Sequence, residues 1–466
     1  MATIPAAPDE PLTRDSVSGW RIAGFILLAA SLALLARFCL PAPPTVANGL
    51  ALTVFIGVLW LSEALPLAVT ALLVPLLALL LGFPGLGTTQ ALAPFADPIV
   101  FLFLGGFALA AAMRVQQLDR KLAFALLAWS RGRLDWAVGL LFAATAIVSM
   151  GISNTATAAM MLPLALGLLR QVDPVQDRAT HVFVLLGVAY AASLGGLGTL
   201  VGSPPNAIAA RAAGLDFTDW LGVGLPLVAV LMPLMVLTLW LLLRPRLGRQ
   251  IELELEPFPW NRPRLLTLAV FGVAVLGWTL GGGYLKRLGI QSPDSFVALS
   301  ALVAVVALRL ASWEQLARQT DWGVLLLFGG GLALGEILGG SGGALWLGQQ
   351  VAQWLQGAGP FWILLAVAGF MVLLSELASN TAAAALLVPV FAAIAGRMGL
   401  PQDLLVVTVA VAASCGFALP VATPPNALVY GTGRIAPREM LRAGLALDLV
   451  CVLVVTGGGM LLLSVR

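Results

Sequence analysis

Long apolar runs, separated by short polar or basic stretches, follow one another along nearly the whole chain. Most are close to the roughly 17–25 residues with which an α-helix crosses a bilayer. They predict membrane spans near residues 21–40, 46–62, 66–82, 96–113, 181–210, 222–243, 265–283, 295–310, 322–338, 403–430 and 440–464. We therefore expect an all-α polytopic membrane protein with about 11 transmembrane helices.

Two further pairs of apolar segments, one in each half of the chain, predict re-entrant helical hairpins. The pieces at 136–150 and 156–169 are each too short to cross a core of about 30 Å at about 1.5 Å per residue. A short apolar pair at 361–377 and 382–396 has the corresponding place in the second half. A polar linker, 244–264, separates the halves.

Composition excludes several classes of protein. Hydrophobic residues make up 60% of the chain and charged residues 10%, whereas a soluble domain carries about 25% charged residues, so a soluble fold is excluded. The net charge of +3 comes from loop Arg and Lys residues, so we expect a lipid bilayer and no nucleic acid as partner. A structural role is expected for the three cysteines, which lie in apolar segments without metal-ligand spacing: Cys39, Cys415 and Cys451.

The basic residues predict the orientation. With a cytoplasmic N-terminus and hairpins that return to their own side, 19 of the 25 Lys and Arg residues lie at the inner surface, as the positive-inside rule requires. We expect a multi-pass protein of the cell inner membrane with its C-terminus outside. Acidic residues at positions 9, 10 and 15 argue against a cleaved signal peptide. Residues 1–19 are expected to form a disordered tail.

Three pieces of the first half recur in the second, in the same order. The Phe-x-Gly-Gly segment at Phe103 matches one at Phe328. The other two matches are SMGISNTATAAMMLP at 149–163 with SELASNTAAAALLVP at 375–389, and VGSPPNA at 201–207 with VATPPNA at 421–427. An odd number of crossings separates equivalent elements, so the second copy is inverted. Inverted repeats with interrupted membrane segments are typical of secondary transporters.

The repeated motifs favour ion binding. Ser, Asn and freed carbonyl groups at a hairpin tip supply hard neutral oxygens that suit an alkali cation. A Pro-Pro break within a span exposes carbonyls upstream, and it exposes unpaired N–H groups where the helix restarts. Such N–H groups favour anions. Each half therefore offers adjacent cation and anion sites.

Formal charge is nearly absent from these motifs. No Lys, Arg or His lies within 149–163, 195–209, 375–389 or 415–429, and Glu376 is the one acid. A bound dianion would lack a side-chain counter-ion, and a helix end contributes only about half a charge. Co-bound cations would supply the rest, which favours cation-coupled symport. The residues alone do not fix the sign of the substrate.

The paired Ser-Asn-Thr tips, Ser-Pro-Pro-Asn and Thr-Pro-Pro-Asn resemble those of the divalent anion/sodium symporter family of di- and tricarboxylate and sulfate transporters. The resemblance covers nearly everything after residue 20. It implies a homodimer in which a transport domain moves past a fixed scaffold by an elevator mechanism. The implied cargo is a small divalent anion, such as the C4-dicarboxylates succinate and malate, co-transported with Na⁺.

The resemblance also implies a division of the chain. The expected parts are a tail at 1–19, scaffold helices at 20–133, the first hairpin and transport helices at 134–243, a cytoplasmic linker at 244–264, scaffold helices at 265–356, and the second hairpin and transport helices at 357–466.

Site residues are carried over motif by motif. The first sodium site would be made by Ser149, Ser153, Asn154 and Gly202. The second would involve Ser375, Ala378, Asn380 and Ala422. Substrate carboxylates would contact the tips and breaks through Asn154, Thr155, Ser203, Asn380, Thr381, Thr423 and Pro424. The two repeats differ at two of these positions, since Gly202 corresponds to Ala422 and Ser203 to Thr423. The two carboxylates of the substrate need not be bound equally.

Three titratable residues have alternative interpretations. Glu376 is either a cation or proton site or, as we favour, a hydrogen-bonding residue of the hairpin. Glu336, at the end of a glycine-rich span expected to be broken, is a functional candidate by the cost of burying charge, although solvation at the outer rim is favoured. His181, at the start of a span, is not expected to relay protons.

Other functions compete with symport. Sodium-independent dicarboxylate exchange and symport of sulfate or a tricarboxylate belong to the same class. A channel is disfavoured, because hairpins that face opposite sides are the arrangement of alternating access. An enzyme is not expected, because the chain has no HExxH, no nucleotide-binding loop and a single His.

Overall fold

The first half of the molecule is a series of helices with short connections. The computed structural model describes residues 19–251, 259–354 and 357–465, so residues 1–18 of the predicted tail and 252–258 of the predicted linker lie outside the described residues. The helices of this half are α1 (Gly19–Cys39), α2 (Pro44–Ser62), α3 (Leu67–Leu81), α4 (Thr88–Leu92), α5 (Pro98–Val115), α6 (Leu118–Ala128), α7 (Leu134–Ser149), α8 (Asn154–Leu169), α9 (Arg178–Gly195), α10 (Pro204–Ala213) and α11 (Phe217–Leu243).

The second half repeats this order. Its helices are α12 (Arg262–Leu280), α13 (Gly282–Arg287), α14 (Pro293–Ala307), α15 (Trp313–Gln319), α16 (Trp322–Gly340), α17 (Gly343–Trp354), α18 (Pro360–Leu377), α19 (Asn380–Met398), α20 (Gln402–Ala413), α21 (Pro424–Tyr430) and α22 (Pro437–Val465). Within the described ranges the chain forms no β-strand, and ten helical segments are long and apolar enough to cross a membrane. The chain is thus an all-helical, multi-pass membrane protein.

Both predicted breaks are present. The span that begins with α9 changes to a 3-10 turn at Gly196–Gly198 and restarts as α10 at Pro204. Its counterpart stops at the end of α20 and restarts as α21 at Pro424. Proline occupies the first helical position in both cases, where its fixed φ suits the helix and its missing N–H costs nothing.

Two expectations about helix length are corrected. The glycine-rich span of Glu336 is not broken, because α16 runs without interruption from Trp322 to Gly340. Its glycines instead allow neighbouring helices to approach closely. The second hairpin is also longer than the first: α18 has 18 residues and α19 has 19, against 16 in each of α7 and α8. The length argument for re-entrance therefore applies only to the first pair.

The two halves interlock through their matched glycine segments. Helix α5 packs on α14 of the second half, and α16 packs on α3 of the first. A Cβ at Gly105 would lie 2.6 Å from the Cβ of Ala298, and one at Gly330 would lie 2.6 Å from the Cβ of Ala71. Where these helices meet, the rings of Phe103 and Phe328 are 4.7 Å apart. Neither half can therefore form this packing alone.

The described start of the linker is fastened to the first hairpin. The amide of Leu134 donates to Arg249 O (3.0 Å), and the amide of Ile251 donates to Gly132 O (2.7 Å). Arg249 also pairs with the buried carboxylate of Asp177, in the loop before α9. Residues 244–251 thus belong to the packed structure at the base of the hairpin.

Candidate functional site

The tip of the first hairpin is a cluster of neutral oxygens. Helix α7 ends at Ser149 and α8 begins at Asn154, after Ser153 caps it by accepting from the amide of Ala156. The buried hydroxyl of Ser149 donates to Ala192 O, 2.6 Å away in α9. The hairpin tip is therefore joined directly to the broken span.

One end of the Asn154 carboxamide faces only acceptors. This end lies 2.7 Å from Ser149 Oγ, 3.1 Å from Ala192 O and 3.3 Å from Gly202 O. Two arrangements satisfy these contacts: the NH₂ group donates to the three oxygens, or the amide oxygen joins them around a cation. An alkali ion binds such a set of hard neutral oxygens, so the residues fit the sodium ion that the motif implies.

Gly202 lies where carbonyl groups converge. A Cβ at this position would be 2.5 Å from Gly196 O and 2.9 Å from Ser149 O. No side chain fits without moving backbone, which explains why glycine occupies this position of the break. The structure thus brings together Ser149, Asn154 and Gly202 of the predicted first sodium site.

The second half repeats the arrangement with one difference. Ser375 Oγ lies 2.6 Å from Ala413 O and 2.7 Å from the carboxamide of Asn380. At the position of Gly202, however, stands Ala422, whose buried Cβ is 3.5 Å from where a Cβ of Gly416 would be. The second half thus holds a methyl group where, in the first half, Gly196 O and Ser149 O leave no room for one, so the two clusters differ in shape.

Two residues that the sequence analysis did not select hold the breaks in place. The fully buried side chain of Asn206 donates to Gly196 O (2.8 Å) and Thr199 O (2.7 Å). Asn426 donates in the same way to Gly416 O (3.3 Å) and Leu419 O (3.0 Å). The repeated Pro-Pro-Asn sequence was the available signal, since its Asn recurs with the prolines.

Four helix N-termini lie in the segments expected to bind the anion. Helices α8, α10, α19 and α21 begin within the motifs, and α10 packs on α19 and α20 while α21 packs on α8 and α9. Thr155 and Pro424 are exposed and Thr381 is half-buried, whereas Ser203 and Thr423 are buried. Ser203 Oγ lies 3.5 Å from Ser414 Oγ of the other half. N-termini of this kind attract carboxylates through their unpaired amides.

Comparison with known proteins identifies the family. A family model described as a citrate transporter matches residues 57–407. The chain belongs to this citrate transporter family. An uncharacterized transporter of Haemophilus influenzae is 49% identical over 428 residues, which is 90% of this chain and 92% of that protein. The sodium-dependent dicarboxylate transporter SdcS of Staphylococcus saprophyticus is 33% identical over 448 residues, covering 87% and 84%.

The fold has a solved counterpart. The Alcanivorax borkumensis YdaH transporter superposes with a TM-score of 0.61 at 15% sequence identity, over 95% of this chain and 97% of that one. Together with the sequence relatives, this fold confirms a transporter of the divalent anion/sodium symporter type rather than an enzyme.

In this citrate transporter family member, Glu376 has the hydrogen-bonding role that the sequence favoured. Its buried carboxylate accepts from the amides of Ala418 and Leu419, both at 2.8 Å. Glu336 is exposed and lines a cavity of about 310 Å³. His181 is buried between Val172 O (3.0 Å from Nε2) and Arg434 (3.2 Å from Nδ1).

The arginines nearest to the motifs in sequence have other positions. Arg211 pairs with Asp97 at 2.9 Å and is half exposed. Arg397 lies in the last turn of α19, 17 residues beyond Asn380, which corresponds to about 25 Å along the helix. Neither arginine is placed at a hairpin tip.

Proposed function

We propose that this protein is a secondary active transporter that carries a small divalent anion, specifically a C4-dicarboxylate such as succinate or malate, into the cytoplasm together with Na⁺. The proposal rests on an arrangement that occurs in both halves: the hairpin tip is hydrogen-bonded to the broken span. In each half, clustered neutral oxygens adjoin helix N-termini, and no basic residue occurs in the motifs.

Two sodium ions would be held at the two tips. Ser149, Ser153, Asn154 and Gly202 form the first proposed site. Ser375, Ala378, Asn380 and Ala422 form the second. The facing acceptors at Asn154 and the convergent carbonyls at Gly202 support the first site. The methyl group of Ala422 supports a second site of different shape.

The dicarboxylate would lie between the tips. One carboxylate is assigned to Asn154, Thr155 and Ser203, and the other to Asn380, Thr381, Thr423 and Pro424. The N-termini contribute about half a positive charge each, and the sodium ions would supply the remainder. Bound sodium therefore lowers the cost of desolvating the dianion. The sodium dependence of SdcS, at 33% identity, supports this coupling.

Movement is proposed to follow the division of the chain that the family resemblance implies. Residues 134–243 and 357–466 would form the transport domain, and 20–133 with 265–356 the scaffold of a homodimer. The fastening of residues 244–251 to the base of the first hairpin supports one amendment. We assign this part of the linker to the transport domain. We propose that the protein lies in the cell inner membrane with its N-terminus in the cytoplasm.

Uptake into proteoliposomes tests the function. Labelled succinate should accumulate when a sodium gradient is imposed and should not accumulate when choline replaces sodium outside. Unlabelled malate, citrate and sulfate, added separately, rank the anions. If uptake requires dicarboxylate inside the vesicles and does not depend on sodium, the protein is an exchanger and not a symporter.

A further inference from the structure

A second acid lies beside Glu376. Asp448, on α22, is only 5% exposed, as is Glu376, and both carboxylates accept from main-chain amides of the same short segment of the break. Asp448 Oδ1 accepts from the amide of Phe417 at 3.2 Å. The two acids therefore accept hydrogen bonds from three successive amides of the α20–α21 break, at residues 417–419.

One oxygen of this pair has no donor. Asp448 Oδ2 is buried and lacks a hydrogen-bond partner within the described ranges. Two carboxylates are both acceptors, so Asp448 and Glu376 can be joined through this oxygen only if a proton or a metal cation lies between them. A buried acceptor without a partner is costly, and a buried charge without a partner is more so.

The groups around the pair do not neutralise it. In the described part of the chain, titratable side chains that interact with Asp448 include Tyr190 of α9, Cys415 of the break and Cys451 of α22. The hydroxyl of Tyr190 donates to Phe417 O at 2.8 Å. None of these groups is cationic. Two adjacent carboxylates in a low-dielectric interior repel each other strongly.

The first half has no such pair. Met150 follows Ser149 as Glu376 follows Ser375. Gly224 and Gly444 both pack against their breaks, so Val228, four residues after Gly224, corresponds to Asp448. The first half therefore has two apolar side chains, Met150 and Val228, at the positions where the second half has two acids. The pair is therefore not needed to build a hairpin or a break.

We propose that Glu376 and Asp448 bind one additional sodium ion, separate from the two at the hairpin tips. This inference rests on the proposed function. Sodium binds several oxygens at once, so it can join Asp448 Oδ2 to Glu376 without displacing the three amide bonds. The site would fix the second break against α18 and α22, and it would add one positive charge to each cycle.

The number of sodium ions per succinate tests the proposal. In proteoliposomes, the membrane potential that stops net flux at fixed sodium and succinate gradients gives this number. Asp448→Asn keeps the shape and an acceptor for the amide of Phe417, and it should lower the number by one. The double variant Glu376→Met/Asp448→Val copies the first half and should do the same. Asp294→Asn is the matched control, because Asp294 also accepts a main-chain amide, from Phe217 at 2.9 Å; its number should equal the parent's.

The outcomes are distinguishable. A parent protein without sodium dependence would refute the proposed function itself. A sodium-coupled parent whose number is unchanged in Asp448→Asn would overturn the additional site. An unchanged number with an altered pH dependence of uptake would also overturn it, because the pair then holds a proton. If Asp448→Asn does not fold, as judged by gel filtration, the double variant decides.

Discussion

The hydroxyl of Thr199 donates to the carbonyl of Met150 and joins the first break to the first hairpin. In the second half, Leu419 and Glu376 occupy the same two positions. There the break contributes a main-chain amide and the hairpin contributes a side chain: the amide of Leu419 donates to the carboxylate of Glu376 at 2.8 Å. Each half is thus fastened at the same place by a different side chain. A hairpin and its broken span should consequently move as one body.

Loss of the Thr199 hydroxyl should loosen the first joint. Thr199→Val keeps the volume but removes the bond to Met150 O and the acceptor of the Gly202 amide, 3.1 Å away. We expect the free energy of unfolding to fall by about 1–2 kcal/mol and the sodium concentration for half-maximal uptake to rise. The control is Thr145→Val, which removes only a bond within one helix. Equal effects of both substitutions would contradict this prediction.

Each hairpin tip should contribute to a separate cation site. Asn154→Ala and Asn380→Ala should each raise the sodium concentration required for half-maximal transport, because each removes a carboxamide from a cluster of oxygens. Asn261→Ala removes a helix cap outside the site and should leave sodium dependence unchanged. Parental sodium dependence in both tip variants would exclude the tips as coupling sites.

The two clusters should respond differently to one methyl group. Gly202→Ala places a Cβ against Gly196 O and Ser149 O, so we expect loss of sodium-dependent transport and a less stable protein. Ala422→Gly only removes a methyl group, and transport should persist with a changed sodium affinity. Thermal-shift titration with sodium measures both. A Gly202→Ala variant that binds sodium normally would disprove the close convergence of these carbonyls.

Substrate binding should not depend on a buried cationic side chain. Arg211 pairs with Asp97 and Arg397 lies at the far end of α19, so replacing either by Gln should change substrate affinity by no more than about threefold. A loss beyond about a hundredfold, or roughly 2.7 kcal/mol, would reveal an anion-binding arginine. Competition of labelled succinate with unlabelled succinate gives the affinities.

Sodium and substrate should strengthen each other's binding by the same factor. A dianion among neutral groups binds weakly alone, because its desolvation is compensated only in part by helix ends. Linkage requires the coupling to be reciprocal, and we expect at least about 1–3 kcal/mol. Calorimetric titrations of dicarboxylate in sodium and in choline, at equal ionic strength, measure it. Equal affinities in both buffers would support the exchanger instead of the symporter.

Residues that are neighbours in the chain made the positions of many helices and of both breaks predictable. Apolar length specified where helices cross, and the Pro-Pro pairs specified where two of them stop and restart. Ser153 and Ser379 each cap the second helix of a hairpin, as a serine before a helix tends to do. The prediction failed at the glycines of α16 because a glycine in a helix costs only about 1 kcal/mol relative to alanine, and close packing against neighbouring helices offsets this cost. Gly331 lies against α19 near Ala385, and the helix continues.

The sequence by itself determined the family, the internal repeat and the positions of hairpins and breaks, because each follows from residues adjacent in the chain. Only the tertiary structure decided which atoms meet. Glu376 and Asp448 are 72 positions apart, and they accept from successive amides of one break because α18 and α22 both pack on α20. No periodicity or spacing encodes that meeting, since it depends on the path of the whole chain between them.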